Sequence, residues 1–174
     1  TGSTAYSFSA GGPIIRDKLH FFTANEWTTE NTPVTGPYAD QPASAAQKFP
    51  LQPDTLARFI DLMKALGSKD VGSAGSVNIP NPLTNIFARL DWQINPVHRM
   101  VLRYNYADGE RLRQQTARST ILAVLSDNYH NFRNVKSAPV LQLFSNFANG
   151  ASNELFLGYN KWFNRRDPLS TFPQ

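Results

Sequence analysis

Apolar and polar residues alternate along two runs within residues 85–110, and one tight turn joins the runs. One side carries Ile86, Ala88, Leu90, Trp92, Ile94, Met100, Leu102, Tyr104 and Tyr106. The other side carries Asn85, Phe87, Arg89, Asp91, Gln93, Arg99, Val101, Arg103 and Asn105. A period of two is typical of β-strands, and Asn95 and Pro96 are residues that favour a turn. The segment is therefore predicted to be a β-hairpin with strands at about 85–94 and 98–108.

Four further strands are predicted on either side of this hairpin, at about 5–15, 19–30, 135–148 and 153–164. In the last of these, Leu155, Leu157 and Tyr159 alternate with Glu154 and Asn160. The strands at 19–30 and 135–148 have less clearly sorted faces. In the strand at 135–148, Leu141 and Leu143 compete with Val140 and Phe144 for the apolar side, so the register of that strand stays open.

The connections between the predicted strands alternate between short and long. Short turns are predicted at 16–18, 95–98 and 149–152, and long loops at 31–84 and 109–134. Within the first long loop, residues 53–67 have helical spacing, with Asp54 as the predicted N-cap and Gly67 at the end. The helix is predicted to pack on the rim of the sheet through an apolar stripe consisting of Leu56, Phe59, Ile60, Met63 and Leu66. The apolar run 121–125 fits a short helix or a strand.

Two fold classes explain this alternation: a soluble sandwich, whose apolar faces meet in a core, and a membrane barrel, whose apolar face meets lipid. Each limb of the central hairpin has about the ~9–11 residues of a tilted transmembrane strand. A strict succession of tight turns and long loops is typical of outer-membrane barrels and has no reason to arise in a sandwich. The predicted fold class is therefore an all-β, antiparallel transmembrane β-barrel fragment, with about six strands in three hairpins and long loops carrying a short helix.

Composition and charge restrict the kinds of function that the chain can have. The chain has 174 residues, of which 41% are hydrophobic and 17% charged, with no cysteine and a net charge of +4. No run of about 18 apolar residues exists that would form a transmembrane helix. The basic residues are scattered, which argues against nucleic-acid binding. His20, His98 and His130 lie in different elements, so no metal site is predicted. No nucleophile or nucleotide motif is present, and no catalytic residue or cofactor is assigned.

Three segments resemble one protein family. The segment GGPIIRDKLHFF is similar to the residues just after the plug of TonB-dependent outer-membrane receptors, particularly the Oar-like group with a carboxypeptidase-regulatory-like domain. The segments ARLDWQINPVHRMVLRYNYADGE and NELFLGYNKWFNRRDP look like two later hairpins of those receptors. His20 departs from the unbroken aromatic run of that family. The resemblance covers most of the predicted strands and little of the long loops.

The resemblance implies a function and a set of partners. The chain is expected to be a fragment of the barrel wall and extracellular loops of a receptor in the bacterial outer membrane. That receptor would take up a large, scarce ligand with energy supplied by the TonB complex. The expected partners are outer-membrane lipid, the plug and the rest of the barrel, and the TonB complex acting through segments outside this chain.

The facing of the strands predicts three groups of functional residues. The lumen is expected to hold Arg89, Asp91, Arg103, Asn105, Glu154 and Asn160. Lipid is expected to contact Ile86, Leu90, Trp92, Met100, Leu102, Tyr104, Leu155, Leu157 and Tyr159. Ligand contacts near the loops are predicted for Trp27, Tyr38, Arg111, Arg113 and Tyr129. The turn 95–98 is expected on the periplasmic side. The alternative is a soluble β-sandwich that binds carbohydrate through exposed aromatic residues.

Overall fold

A computed structural model describes residues 2–68 and 70–169, which form one antiparallel sheet and one α-helix. The strands are β1 (Gly2–Ile15), β2 (Leu19–Pro33), β3 (Asn78–Gln93), β4 (His98–Gln114), β5 (Tyr129–Asn146), β6 (Ser152–Gly158) and β7 (Lys161–Pro168). The helix α1 spans Pro53–Ala65, and a single 3-10 turn spans Ser126–Asn128. The prediction of an all-β antiparallel fold is confirmed.

The sheet is a meander in which each strand pairs with the next, in the order β1 to β6, and β7 also pairs with β5. It is an open sheet among the described residues, with β1 at one edge and β6 and β7 at the other. The connections at 16–18, 94–97 and 147–151 all lie at one end, the turn end. The connections 34–77 and 115–128 lie at the opposite end, the loop end.

The sixth strand of the meander is divided into β6 and β7 by a break at Tyr159 and Asn160. Both pieces keep the same register along β5, since Gly158 pairs with Val140 and Lys161 with Ser137. The break lies opposite Pro139, which accepts a hydrogen bond from the Tyr159 amide at 3.0 Å but has no amide of its own to return. One missing donor therefore interrupts a strand that was predicted as continuous.

The strands reach further towards the loop end than predicted, and the long loops are correspondingly shorter than 31–84 and 109–134. The largest difference is in β3, which begins at Asn78 and includes Pro80 and Pro82. In this part β3 pairs with β2 alone, because its pairing with β4 begins only at Leu83. Prolines are tolerated where one edge of a strand needs no amide donor.

The pairing places directly opposed residues on one face, so the register defines an apolar and a polar face across the sheet. The apolar face is the side of Leu90 and Leu102, and the polar face is the side of Arg89 and Arg103. From β2 to β6, one row of the apolar face consists of Phe21, Leu90, Leu102, Leu141 and Leu157. The open question about residues 135–148 is thereby answered: Leu141 and Leu143 lie on the apolar face, and Val140 and Phe144 on the polar face.

The two long connections fold together into a loop cap, which we define as residues 34–68, 70–77 and 115–128. The first core of the cap lies where the cap meets the strands, and it contains Val34, Ile79, Val124 and Tyr129, with Tyr38, Val77 and Leu112 against it. A second core contains Val71, Ala74 and Leu125, against which Phe49, Leu56, Ile60 and Met63 pack.

Helix α1 forms as predicted, but its N-cap residue and its packing differ from the prediction. Gln52 is the N-cap residue, without a side-chain hydrogen bond, and Asp54 lies in the first turn instead. The helix packs on the second core of the loop cap rather than on the sheet rim, so Phe59 and Leu66 remain exposed. The run 121–125 is neither helix nor strand: Val124 and Leu125 are buried, whereas Ile121 is 90% exposed.

Candidate functional site

The predicted lipid-facing residues within the strands all lie on the apolar face, and Tyr159 lies exposed in the break between β6 and β7. Register pairs join Ile86 to Tyr106, Leu90 to Leu102, and Trp92 to Met100. The exposed members are Leu90, Trp92, Leu102, Tyr104, Leu155, Leu157 and Tyr159. No second sheet covers this face within residues 2–68 and 70–169, since all described strands belong to one sheet. A broad apolar surface is therefore left open across the sheet.

The polar face carries a hydrogen-bonded ladder of side chains. Arg89 donates two hydrogen bonds to Asp91, at 2.6 and 2.7 Å. Arg103 donates to the Gln142 side chain at 2.6 Å, and Gln142 donates to Glu154 at 2.9 Å. Three neighbouring strands are thus linked by their polar side chains.

The remaining two predicted lumenal residues, Asn105 and Asn160, differ in their surroundings. Asn105 is exposed and lines a depression of about 700 Å³, together with Glu26, Asn85 and Lys136 of the same face. Asn160 lies in the break between β6 and β7, outside both strands. The depression runs across several strands of the polar face, so this side of the sheet offers a concave surface.

The polar face is less uniformly polar than the alternation around Arg89 predicts. Phe22 and Phe87 lie on it with their ring centres 6.0 Å apart, and Phe144 lies under the Arg99 guanidinium at 4.8 Å. Gly11 pairs with Phe22, and an added Cβ at Gly11 would meet that ring at 3.0 Å. The glycine therefore leaves room for an aromatic ring on this face.

The five predicted ligand-contact residues are dispersed by the fold. Trp27 lies within β2 on the apolar face, opposite Tyr6 and Thr84, rather than near a loop. Tyr129 is 0% exposed in the first core of the loop cap, so it has no surface to offer a ligand. Tyr38 packs against the same core. Arg111 and Arg113 lie within β4, exposed at its loop end.

Arg118 is the residue that sequence reasoning missed. Its side chain is buried, with 5% exposure, and donates hydrogen bonds to three carbonyl oxygens: Val124 at 2.8 Å, Gly75 at 2.7 Å and Ser73 at 2.8 Å. The guanidinium carbon also lies 5.5 Å from the Tyr38 ring centre and 5.9 Å from that of Tyr129. A single arginine thereby joins the two long connections. A basic residue in a polar loop gives no sequence signal of burial.

Tyr38 provides a prediction for the alkaline range. Burial raises the pKa of the Tyr38 phenol, an effect that the nearby Arg118 guanidinium partly opposes. The folded cap thus favours the protonated phenol, so this contribution to stability is present below the ordinary tyrosine pKa and is lost as pH rises through the raised value. We expect the late-ionising part of an ultraviolet titration to be smaller in Tyr38→Phe than in the unaltered protein. A titration that Tyr38→Phe leaves unchanged contradicts this assignment.

Two other kinds of feature are absent from the described part of the chain. No group of three histidine, aspartate or glutamate side chains is placed to hold a metal ion. No helix there is both long enough and apolar enough to cross a membrane.

Comparisons with known proteins give no family assignment: no family model, no curated protein and no solved structure matches the chain.

Proposed function

We propose that this chain forms part of the wall and the extracellular loops of a TonB-dependent receptor in the outer membrane, which takes up a large ligand with energy from the inner membrane. The observation that carries the proposal is the apolar face: an uncovered surface extending over six successive strands of the meander, backed by a polar, concave face. In a membrane barrel, the apolar face would contact lipid and the polar face would contact the filled lumen.

The dimensions and the aromatic residues of the apolar face support a membrane location. The stretch of β4 from Met100 to Asp108 is about 27 Å long at ~3.4 Å per residue. A strand tilt of about 40° reduces its height to about 20 Å, close to the ~25 Å apolar band of outer-membrane barrels. Trp92 lies towards the turn end of this stretch, and Tyr6 and Trp27 lie in a row towards the loop end. Such aromatic residues suit the two interfaces of a bilayer.

The two open edges of the sheet support a larger assembly. β1 and the β6–β7 strand each have one edge without a partner among the described residues. Unpaired amides and carbonyls are costly in lipid, so a wall segment of this kind needs further strands on both sides. In the proposed receptor, the rest of the barrel would pair with these edges, and the plug would face the ladder of Arg103, Gln142 and Glu154.

The absence of cysteine allows a direct test with single labels. We expect a fluorophore on Leu102→Cys, in protein reconstituted into lipid vesicles, to be quenched strongly by lipids brominated on their acyl chains. The adjacent variant Arg103→Cys is the matched control, because its label would point into the lumen and escape quenching. The same contrast is expected for Leu157→Cys against Glu154→Cys. Equal quenching at both positions, or none at Leu102 and Leu157, would overturn the membrane-wall proposal.

The soluble carbohydrate-binding alternative predicts a different result in the same experiment. A sandwich module stays in solution, and its Leu102 label would be shielded by protein and insensitive to brominated lipid. The single described sheet offers no second layer to provide that shielding.

The transport part of the proposal needs a measurement in cells. We expect cells that make the protein to deplete at least one large solute from their medium, as followed by mass spectrometry. Depletion should stop in cells lacking the protein and in cells whose inner-membrane proton gradient has been dissipated. If no solute distinguishes these three conditions, energy-coupled uptake is wrong even where the lipid contacts hold.

A further inference from the structure

A group of cationic side chains gathers on the polar face at its loop end. Arg113 on β4 and Arg166 on β7 both approach Phe132 on β5, with guanidinium carbons 5.0 and 5.8 Å from its ring centre. His130 is the direct register partner of Arg113, and Arg111 is that of Phe132. Three strands thus place two arginines over a single aromatic ring, with Arg111 and His130 at neighbouring register positions.

Arg113, His130, Phe132 and Arg166 line a cavity of about 420 Å³ that has no carboxylate in its wall. Both Arg113 and Arg166 are exposed, whereas Phe132 is partly buried beneath them. The aromatic ring restricts where each guanidinium can lie, because cations favour the face of a ring. The cavity therefore presents positive charge from two fixed directions.

The opposite face of the same strands shows a contrasting arrangement. There Arg133 pairs with Asp108 and Arg165 pairs with Asp167, each at 2.6 Å. Among the described residues, Arg113 and Arg166 take part in no ion pair. Like charges held close together repel one another, and an anion between them would remove that cost. At the loop end, the sheet thus pairs the arginines of one face with carboxylates and leaves Arg113 and Arg166 on the other face without a carboxylate partner.

We propose that the cavity between Arg113, Arg166 and His130 binds an anionic group, a phosphate or a carboxylate, of a soluble ligand. The proposal rests on the proposed function for one point, namely that the polar face opens to the lumen and not to lipid. Planar guanidinium groups donate paired hydrogen bonds to both kinds of oxyanion. The location at the loop end would place this site at the mouth of the barrel, where an entering ligand arrives first.

Isothermal titration of the detergent-solubilised protein with inorganic phosphate and with citrate, at low ionic strength, tests the site. We expect at least one anion to bind, glucose to give no signal, and Arg166→Gln and Arg113→Gln each to weaken binding about tenfold or more. Arg165→Gln is the matched control, since it removes the neighbouring charge on the opposite face and should change affinity by less than about twofold. Arg166→Lys should retain part of the affinity.

Three results would overturn the inference: no binding of either anion by the unaltered protein, equal losses in Arg165→Gln and Arg166→Gln, or retention of binding in both Arg113→Gln and Arg166→Gln. Vesicles containing phosphatidylglycerol provide a further arm. If they bind through Arg166 while phosphate and citrate do not, the anion belongs to lipid and the soluble-ligand assignment is wrong. A lack of anion binding would not change the quenching expected at Leu102. Equally, a lack of quenching at Leu102 would not change the anion titration. The two experiments therefore test the two proposals separately.

Discussion

Replacing Arg118 by alanine is expected to open the loop cap while leaving the sheet in place. The substitution removes the Arg118 donors to Ser73, Gly75 and Val124. The Ser73 carbonyl keeps the Ser126 amide as a donor. The Gly75 and Val124 carbonyls lose the donor that Arg118 provides, at a cost of about 1–3 kcal/mol each. Since these losses are not fully additive, we expect the free energy of opening the cap to fall by about 4 kcal/mol. Amide hydrogen exchange should accelerate at Ser126 and Ala39, whose amides donate to the Ser73 and Ala74 carbonyls.

Two further variants test whether the effect of Arg118 comes from its hydrogen-bond geometry or from its charge alone, and whether it is specific to this position. Arg118→Lys keeps the charge but cannot spread its donors over three carbonyls, so it should recover only a small part of the lost protection. Arg58→Ala removes an exposed arginine of helix α1 and should leave exchange unchanged. Unchanged exchange at Ser126 and Ala39 in Arg118→Ala would show that the cap does not depend on this side chain.

Replacing Gly72 by alanine is the second substitution with a large expected effect. Gly72 has a φ of +74°, and an added Cβ would lie 2.3 Å from the Asp127 amide nitrogen and 2.7 Å from the Ser126 hydroxyl. Because the clash involves backbone of the other long connection, the two connections must separate. We expect a loss of about 3 kcal/mol in cap stability, which combines the left-handed backbone cost of about 1–2 kcal/mol with the clash.

Gly150 provides the matched control for this prediction. It has a φ of +82°, and an added Cβ there would meet nothing within 4 Å. Gly150→Ala should therefore show the backbone cost alone, about 1 kcal/mol, and only in the turn between β5 and β6. Limited proteolysis of the cap should separate the two variants. Equal sensitivity would mean that the contact of Gly72 with Asp127 contributes nothing.

The regular part of the sheet could be predicted because a period of two in the sequence assigns the apolar side chains of each strand to one face of the sheet. The side chains from Ile86 to Trp92 and from Met100 to Tyr106 sort by polarity, and the pairing in the structure follows that sorting. The short turns and the helix were likewise visible as local patterns of turn residues and helical spacing. These features depend on residues that are close together in the chain.

The other features of the fold and of the candidate site could not be predicted, because they depend on contacts between segments that are far apart in the sequence. Pro80 and Pro82 are compatible with β3 only because β4 ends its pairing short of them, and Pro139 interrupts a strand that lies far along the chain. Arg118 and Tyr129 are buried by long loops whose folding has no periodic signal. The anion cavity is a similar case, since β4, β5 and β7 contribute its residues from separate stretches of sequence.

The alternation of tight and long connections also bears on the order in which the chain folds. Strands β3 and β4 are joined by the few residues 94–97, so their pairing closes a small loop and can form early. Pairing of β2 with β3 must first bring together the ends of residues 34–77, which has a larger entropic cost. We therefore expect hairpins to form as units and the loop cap to act as the late step that aligns them.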